Sequence, residues 1–150
     1  MKIAIGSDHA GFELKENLKK FLSYEYDVLD VGTSSTESVD YPDFAKKVCE
    51  LIIEKKVDLG ILICGTGIGM SITANKFKDI YAALCYDTNT ASLARRHNNA
   101  NVLCLGGRTT MLNDAIEIVK TFLNSEFEGE RHYRRYIKIK GIEDKNFREY

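Results

Sequence analysis

Short apolar runs of strand type alternate with helix-period segments along this chain, and that alternation narrows its possible folds more than any other feature. Residues 3–6, 28–31, 59–63, 81–85 and 102–105 read as strands. Between and after them, Leu14, Leu18, Phe21 and Leu22 share one helical face, as do Phe44, Val48, Leu51 and Ile52, and again Leu112, Ile116, Val119 and Leu123. Residues 88–97 read as a helix with Asp87 or Thr88 as its cap, and another helix should start near Gly67. Pro42, the only proline, suits the first turn of the helix that follows it. Strands that alternate with helices form a parallel sheet covered on both faces. We therefore expect a three-layer α/β/α Rossmann-like fold around a five-stranded parallel sheet. At 150 residues the chain reads as a single domain over 1–150, with a C-terminal helical arm at about 130–150.

Charge and composition exclude several function classes. The formal net charge is -1, which gives no general attraction to polyanions, so nucleic acid is not an expected partner. No stretch approaches the roughly 20 apolar residues of a membrane helix, so no membrane association is expected. The N-terminus enters a strand directly and lacks a signal-peptide layout, which leads us to expect a cytoplasmic protein. The four cysteines, Cys49, Cys64, Cys85 and Cys104, form no C-x-x-C pair. Structural zinc is therefore not expected, and the thiols should be reduced. Cys85 and Cys104 sit in apolar runs and read as core residues.

One turn stands apart from the rest. The apolar run ending at Ile63 leads into Cys64, Gly65, Thr66, Gly67, Ile68 and Gly69. A sulfur at a strand end, followed by backbone that can approach a ligand closely, has the layout of a reaction centre. A tight bend with a buried, inert cysteine is the other reading. In parallel sheets ligands bind beyond the carboxyl ends of the strands, where the winding reverses. A strand order beginning 2-1-3 would set Asp8 and His9 beside Cys64.

Of the other histidines, His97 and His132 stand among charged or polar neighbours and read as solvated surface residues. His97 falls at a helix end, which favours a charged imidazole. Arg131 and Arg135 lie one helical turn apart and could grip a phosphate together, and Gly106-Gly107-Arg108 offers a third arginine at the ligand edge. A salt-bridged surface helix, with Glu128 and Glu130 as partners, accounts for the same arginines. A phosphatase loop would need arginine where Met70 stands. A nucleotide P-loop would need Gly-Lys-Ser/Thr where Gly69-Met70-Ser71 stands, and the even spacing of Gly65, Gly67 and Gly69 does not match a dinucleotide fingerprint.

Taken together, Gly6-Ser7-Asp8-His9-Ala10-Gly11, Asp40-Tyr41-Pro42, Ile63-Cys64-Gly65-Thr66-Gly67-Ile68-Gly69, Ala74-Asn75-Lys76, Arg96-His97-Asn98 and Glu128-Gly129-Glu130-Arg131-His132 resemble the ribose-5-phosphate isomerase B family. This family includes galactose-6-phosphate and allose-6-phosphate isomerases. The resemblance implies interconversion of an aldose phosphate and a ketose phosphate through an enediolate, in ribose 5-phosphate metabolism within the pentose phosphate pathway. It implies that Cys64 moves the carbon-bound proton and that Thr66 relays the hydroxyl proton. His97 would open the furanose ring with Asp8 nearby. N–H groups of Gly65, Thr66, Gly67, Ile68 and Gly69 would face the oxyanion. His9, Arg108, Arg131 and Arg135 would bind phosphate, Asn98 a sugar oxygen, and Tyr41 would line the pocket. The resemblance also implies no cofactor and no metal, and a dimer or dimer of dimers whose active site is shared between subunits. Some family members replace the cysteine with a carboxylate further along; Met70 and Ser71 offer none here. A non-catalytic sugar-phosphate sensor is the rival of another class, but a sensor has no chemical need to combine Cys64, Thr66 and His97.

Overall fold

Residues 1–147 are described by the computed structural model of the chain. Its elements run β1 (Lys2–Ser7), α1 (Phe12–Leu22), β2 (Asp27–Asp30), α2 (Tyr41–Ile53), β3 (Leu59–Cys64), α3 (Ile68–Ala74), β4 (Ala82–Leu84), α4 (Thr88–Asn98), β5 (Val102–Gly106), α5 (Leu112–Asn124) and α6 (Arg131–Asn146). One 3-10 turn, His9–Gly11, joins β1 to α1. Residues 148–150, the end of the expected C-terminal arm, lie outside the described residues.

All strand pairs are parallel, and the sheet order is β2-β1-β3-β5-β4. This is the expected three-layer α/β/α architecture. Every residue of β3 and β5 is buried, as central strands covered on both faces must be. Leu14 and Leu18 of α1, Ala91 of α4 and Phe122 of α5 pack on one face with Ile3, Ile61 and Leu103. Val48 of α2 and Met70 of α3 pack on the other with Ala4, Leu62 and Cys104. The order reverses twice. The chain crosses β1 to reach β3, and it passes β5's place to form β4 before returning. The first reversal puts the carboxyl ends of β1 and β3 side by side.

Local signals set the helix starts. Asp87 Oδ1 accepts from the Thr90 N–H at 2.7 Å, and the Thr90 side chain answers the Asp87 N–H, which makes a capping box at α4. Pro42 stands in the first turn of α2, where its missing N–H costs nothing. One periodicity assignment is corrected. Leu14, Leu18 and Leu22 are buried, but Phe21 is 48% exposed and only borders a shallow groove against Ile116 and Val119 of α5. Lys15 takes the buried place instead, because its ammonium meets Asp30 Oδ2 at 2.6 Å and Glu16 Oε1 at 2.9 Å.

Candidate active site

The strand ladders continue past the strands and zip three loops together. Asp8 N–H donates to the Ile63 carbonyl at 3.2 Å, Gly107 N–H to Cys64 O at 2.7 Å, and Arg108 N–H to Gly65 O at 3.0 Å. The loops after β1, β3 and β5 thus form one platform at the carboxyl edge of the sheet. Asp8 stabilises its own loop, since Oδ1 accepts from Ala10 N–H at 3.0 Å and Gly11 N–H at 3.1 Å.

Cys64 ends β3 with its side chain nearly buried, and Gly67 N–H points at Sγ from 3.2 Å. Such a contact is stronger to a thiolate than to a thiol. Gly67 can place its N–H there because it holds φ at +80°, in the left-handed region that glycine adopts freely. Ile68 N–H donates to Thr66 Oγ1 at 3.2 Å, which leaves the Thr66 hydroxyl hydrogen free to be given elsewhere. Two N–H groups of the turn are therefore committed to Cys64 and Thr66, and an oxyanion must be met by the others. The remaining cysteines differ in kind. Burial pushes the Cys49 thiol up to about 12 and the Cys85 thiol up to about 11, and holds Cys104 well above its ordinary range.

A cleft of about 490 Å³ opens over this platform. Asp8, His9, Tyr41, Cys64, Gly65, Thr66, Ile68, Gly69 and Arg108 all line it. The Tyr41 ring lies so close over Gly69 that a Cβ there would stand 2.6 Å from Cζ, so any larger residue would push this wall aside. His9 Nδ1 accepts from Val39 N–H at 3.1 Å, which places the proton of the neutral ring on Nε2. Arg108 crosses Gly65, with Nη1 3.5 Å from where a Cβ would be. The cleft therefore combines a sulfur, a hydroxyl, an imidazole N–H and a guanidinium.

His97, Asn98 and Arg135 do not join that cleft within one chain. They line a separate hollow of about 200 Å³ between α4 and α6, together with His132. The reason is topological. α4 starts beyond the carboxyl end of β4 and runs back to feed β5, so its last residues lie near the amino edge of the sheet. At 1.5 Å per residue, its 11 residues carry the chain about 16 Å away from the Cys64 edge. Arg131 is exposed at the start of α6.

His132 corrects the expectation of a solvated histidine. It is only 5% exposed, and its ring stacks on His97 with centroids 3.9 Å apart and planes 11° from parallel. Burial, aided by His97 and Arg131, holds its imidazole below the ordinary histidine value and favours the neutral ring. Glu128, offered by the sequence as a partner for the α6 arginines, bonds Arg96 Nε at 2.6 Å instead. Its other oxygen faces His132 Nε2 at 3.7 Å and His97 Nε2 at 4.0 Å. These three side chains lie within 4.8 Å of one another, yet they suit a metal ion poorly. An ion binds in the plane of each imidazole at about 2.0–2.1 Å from nitrogen. Two near-parallel planes separated by a stacking distance share no such point. Only the structure could find this pair, because α4 and the start of α6 are distant in sequence and no periodicity links them.

Comparison with known proteins supplies the remaining observations. Residues 3–139 match the model of a family described as Ribose/Galactose Isomerase. A Rickettsia conorii protein, named no more finely than a sugar phosphate isomerase, is 49% identical over 92% of this chain and 96% of its own. The structure of ribose-5-phosphate isomerase B from Clostridium thermocellum superimposes with a TM-score of 0.96 at 50% identity, covering 98% of this chain and 100% of that one. Ribose-5-phosphate isomerase B from Mycoplasma genitalium, solved with bound ribulose-5-phosphate, superimposes with a TM-score of 0.91 at 45% identity, covering 97% of each chain.

Proposed function

The chain belongs to the ribose/galactose isomerase family and is an isomerase, and from that premise we propose that it interconverts D-ribose 5-phosphate and D-ribulose 5-phosphate. The observation that carries this reading is the Cys64 sulfur, held by the Gly67 N–H, in one cleft with Thr66, His9 and Arg108. The Cys64 thiolate takes the proton from C2 of the open-chain aldose. The C2 electron pair forms the C1–C2 double bond as the carbonyl pair moves to O1, which gives an enediolate. Return of the proton to C1 and transfer of the O2 hydroxyl proton to O1 leave the carbonyl at C2. Thr66, whose hydroxyl hydrogen is uncommitted, carries the oxygen-to-oxygen transfer. The free N–H groups of the turn stabilise the enediolate oxygen.

The phosphate is held by charge. His9, a wall of the cleft with Nδ1 already occupied, offers Nε2–H, and Arg108 adds a guanidinium. His97 opens the furanose ring, Asn98 holds a sugar oxygen, and Arg131 and Arg135 complete the phosphate grip. Because α4 carries His97 and Asn98 away from the Cys64 edge of their own sheet, and Arg135 lines the same hollow on α6 one turn beyond Arg131, these four residues come from a second copy of the chain. The working unit is then a homodimer, alone or paired into a tetramer, with two shared sites. No metal or cofactor takes part, and the setting is the cytoplasmic pentose phosphate pathway. Residues 1–150 act as one isomerase domain with a C-terminal helical arm at about 130–150.

A coupled isomerisation assay with EDTA present tests the chemistry. Wild type should turn over ribose 5-phosphate, and Cys64→Ala should lose at least about 100-fold in kcat. Full activity in Cys64→Ala would remove the sulfur from the mechanism, and a strong preference for allose 6-phosphate would reassign the substrate to six carbons. Mixing inactive Cys64→Ala and His97→Ala proteins should restore activity through hybrid dimers. No recovery after verified subunit exchange would return both residues to one subunit's site.

A further inference from the structure

The stacked histidines give His97 a neighbour whose purpose the isomerisation chemistry leaves open. His97 stands in the last turn of α4 with its side chain partly exposed. His132, from the first turn of α6, lies flat against it at 3.9 Å between centroids. His132 Nε2 is buried without a hydrogen-bond partner, so what this side chain offers is its face. Glu128 lies at the Nε2 edge of both rings. Its backbone N–H donates to Arg96 O at 3.0 Å while its carboxylate bonds the Arg96 guanidinium, so the acid is anchored at both ends to the residue before His97. Its second oxygen faces His132 Nε2 at 3.7 Å and His97 Nε2 at 4.0 Å.

We propose that His132 is a positioning residue for His97: its ring is the platform that fixes the plane of the ring-opening imidazole, with Glu128 as the counter-charge beside it. The inference rests on the reading of His97 as the ring-opening group. A single neutral platform suits the task. Two stacked imidazolium rings would repel, and Arg96, Arg131 and Arg135 on the two helices already supply positive charge around the pair. Burial favours the neutral His132 ring, so the platform adds no second positive charge beside His97.

The test separates ring opening from proton transfer at carbon. Ribulose 5-phosphate has its O5 esterified and cannot close a furanose ring. Exchange of its C1 hydrogen with solvent deuterium therefore needs the Cys64 chemistry and no ring step. Isomerisation that starts from ribose 5-phosphate, a closed furanose, needs both. His132→Ala should lower isomerisation kcat about 10- to 100-fold, the cost of a misplaced catalytic group, while deuterium exchange stays within about two-fold of wild type. His132→Phe, which keeps a flat ring against His97, should recover most of the isomerisation. Wild-type isomerisation in His132→Ala, or no recovery in His132→Phe, would overturn the positioning role. Loss of exchange along with isomerisation in His132→Ala would assign His132 to the fold and overturn it as well. His97→Ala, run beside them, should lose isomerisation and keep exchange. Normal isomerisation there would refute the ring-opening assignment itself, separately from anything His132 does.

Discussion

Gly67→Ala probes the join between backbone geometry and the reactive sulfur. Gly67 holds φ at +80°, and an L-residue with a Cβ in the left-handed region costs about 1–2 kcal/mol. The added methyl would also stand 2.6 Å from Leu84 Cδ1, 2.9 Å from the Leu105 carbonyl carbon and 3.0 Å from its oxygen. The leucine side chain can swing away, but the Leu105 carbonyl belongs to the central ladder with Ile63 and cannot. Overpacking of this kind adds about 1–3 kcal/mol. The sum is about 2–5 kcal/mol, which for a domain of this size lowers Tm by about 5–20 °C. Movement of the turn also withdraws the N–H from Cys64 Sγ, so kcat should fall more than KM rises. Thermal unfolding at fixed protein concentration, with steady-state kinetics at a temperature where the variant stays folded, gives both numbers. A Tm within about 2 °C of wild type together with an unchanged kcat would refute the reasoning.

Two further outcomes follow from the titrations. Cys49, Cys85 and Cys104 are buried thiols held high, whereas Cys64 lines the cleft; iodoacetamide at pH 8 should label Cys64 first, with protection by ribulose 5-phosphate, and peptide mapping that finds another cysteine labelled first would refute this. His132 titrates below its ordinary 6.5 when folded, so the unfolded chain takes up the proton first; stability is complete above about pH 6.5 and falls as pH drops below it. Glu128, held low chiefly by its Arg96 bond, adds a loss only below about 4.5, so the interval between belongs to the histidine. Urea midpoints should decline from pH 7 to pH 5.5 in wild type and less so in His132→Phe; equal slopes would remove His132 from the effect.

The sequence was sufficient wherever a local rule applied. Short continuous apolar runs mark strands buried on both faces, and period-3.6 patterns mark helices that turn one apolar side to the core. Asp87 marks the start of α4 because an orphan N–H needs an acceptor, and the glycines around Cys64 mark backbone that bends sharply beside a strand end. The reversal between β1 and β3 then made Asp8, His9 and Cys64 neighbours, since parallel strands expose their carboxyl ends together.

Tertiary structure decided what periodicity does not record. The β5-β4 order at the far edge sets where α4 begins and ends, and a helical pattern gives no address in a sheet. Phe21 fits the apolar stripe of α1 but lies at its rim, because burial depends on what the opposing helix covers. His132 looks solvated among arginines, yet it is buried because the turn before α6 lays it on His97 at the end of α4. The candidate residues Asp8, His9, Cys64, His97 and Arg108 were thus legible one by one, and the distance between His97 and the Cys64 cleft within one chain was not. Side-chain type is fixed locally, whereas distance across a fold is set by strand order and by which helix ends close on one another.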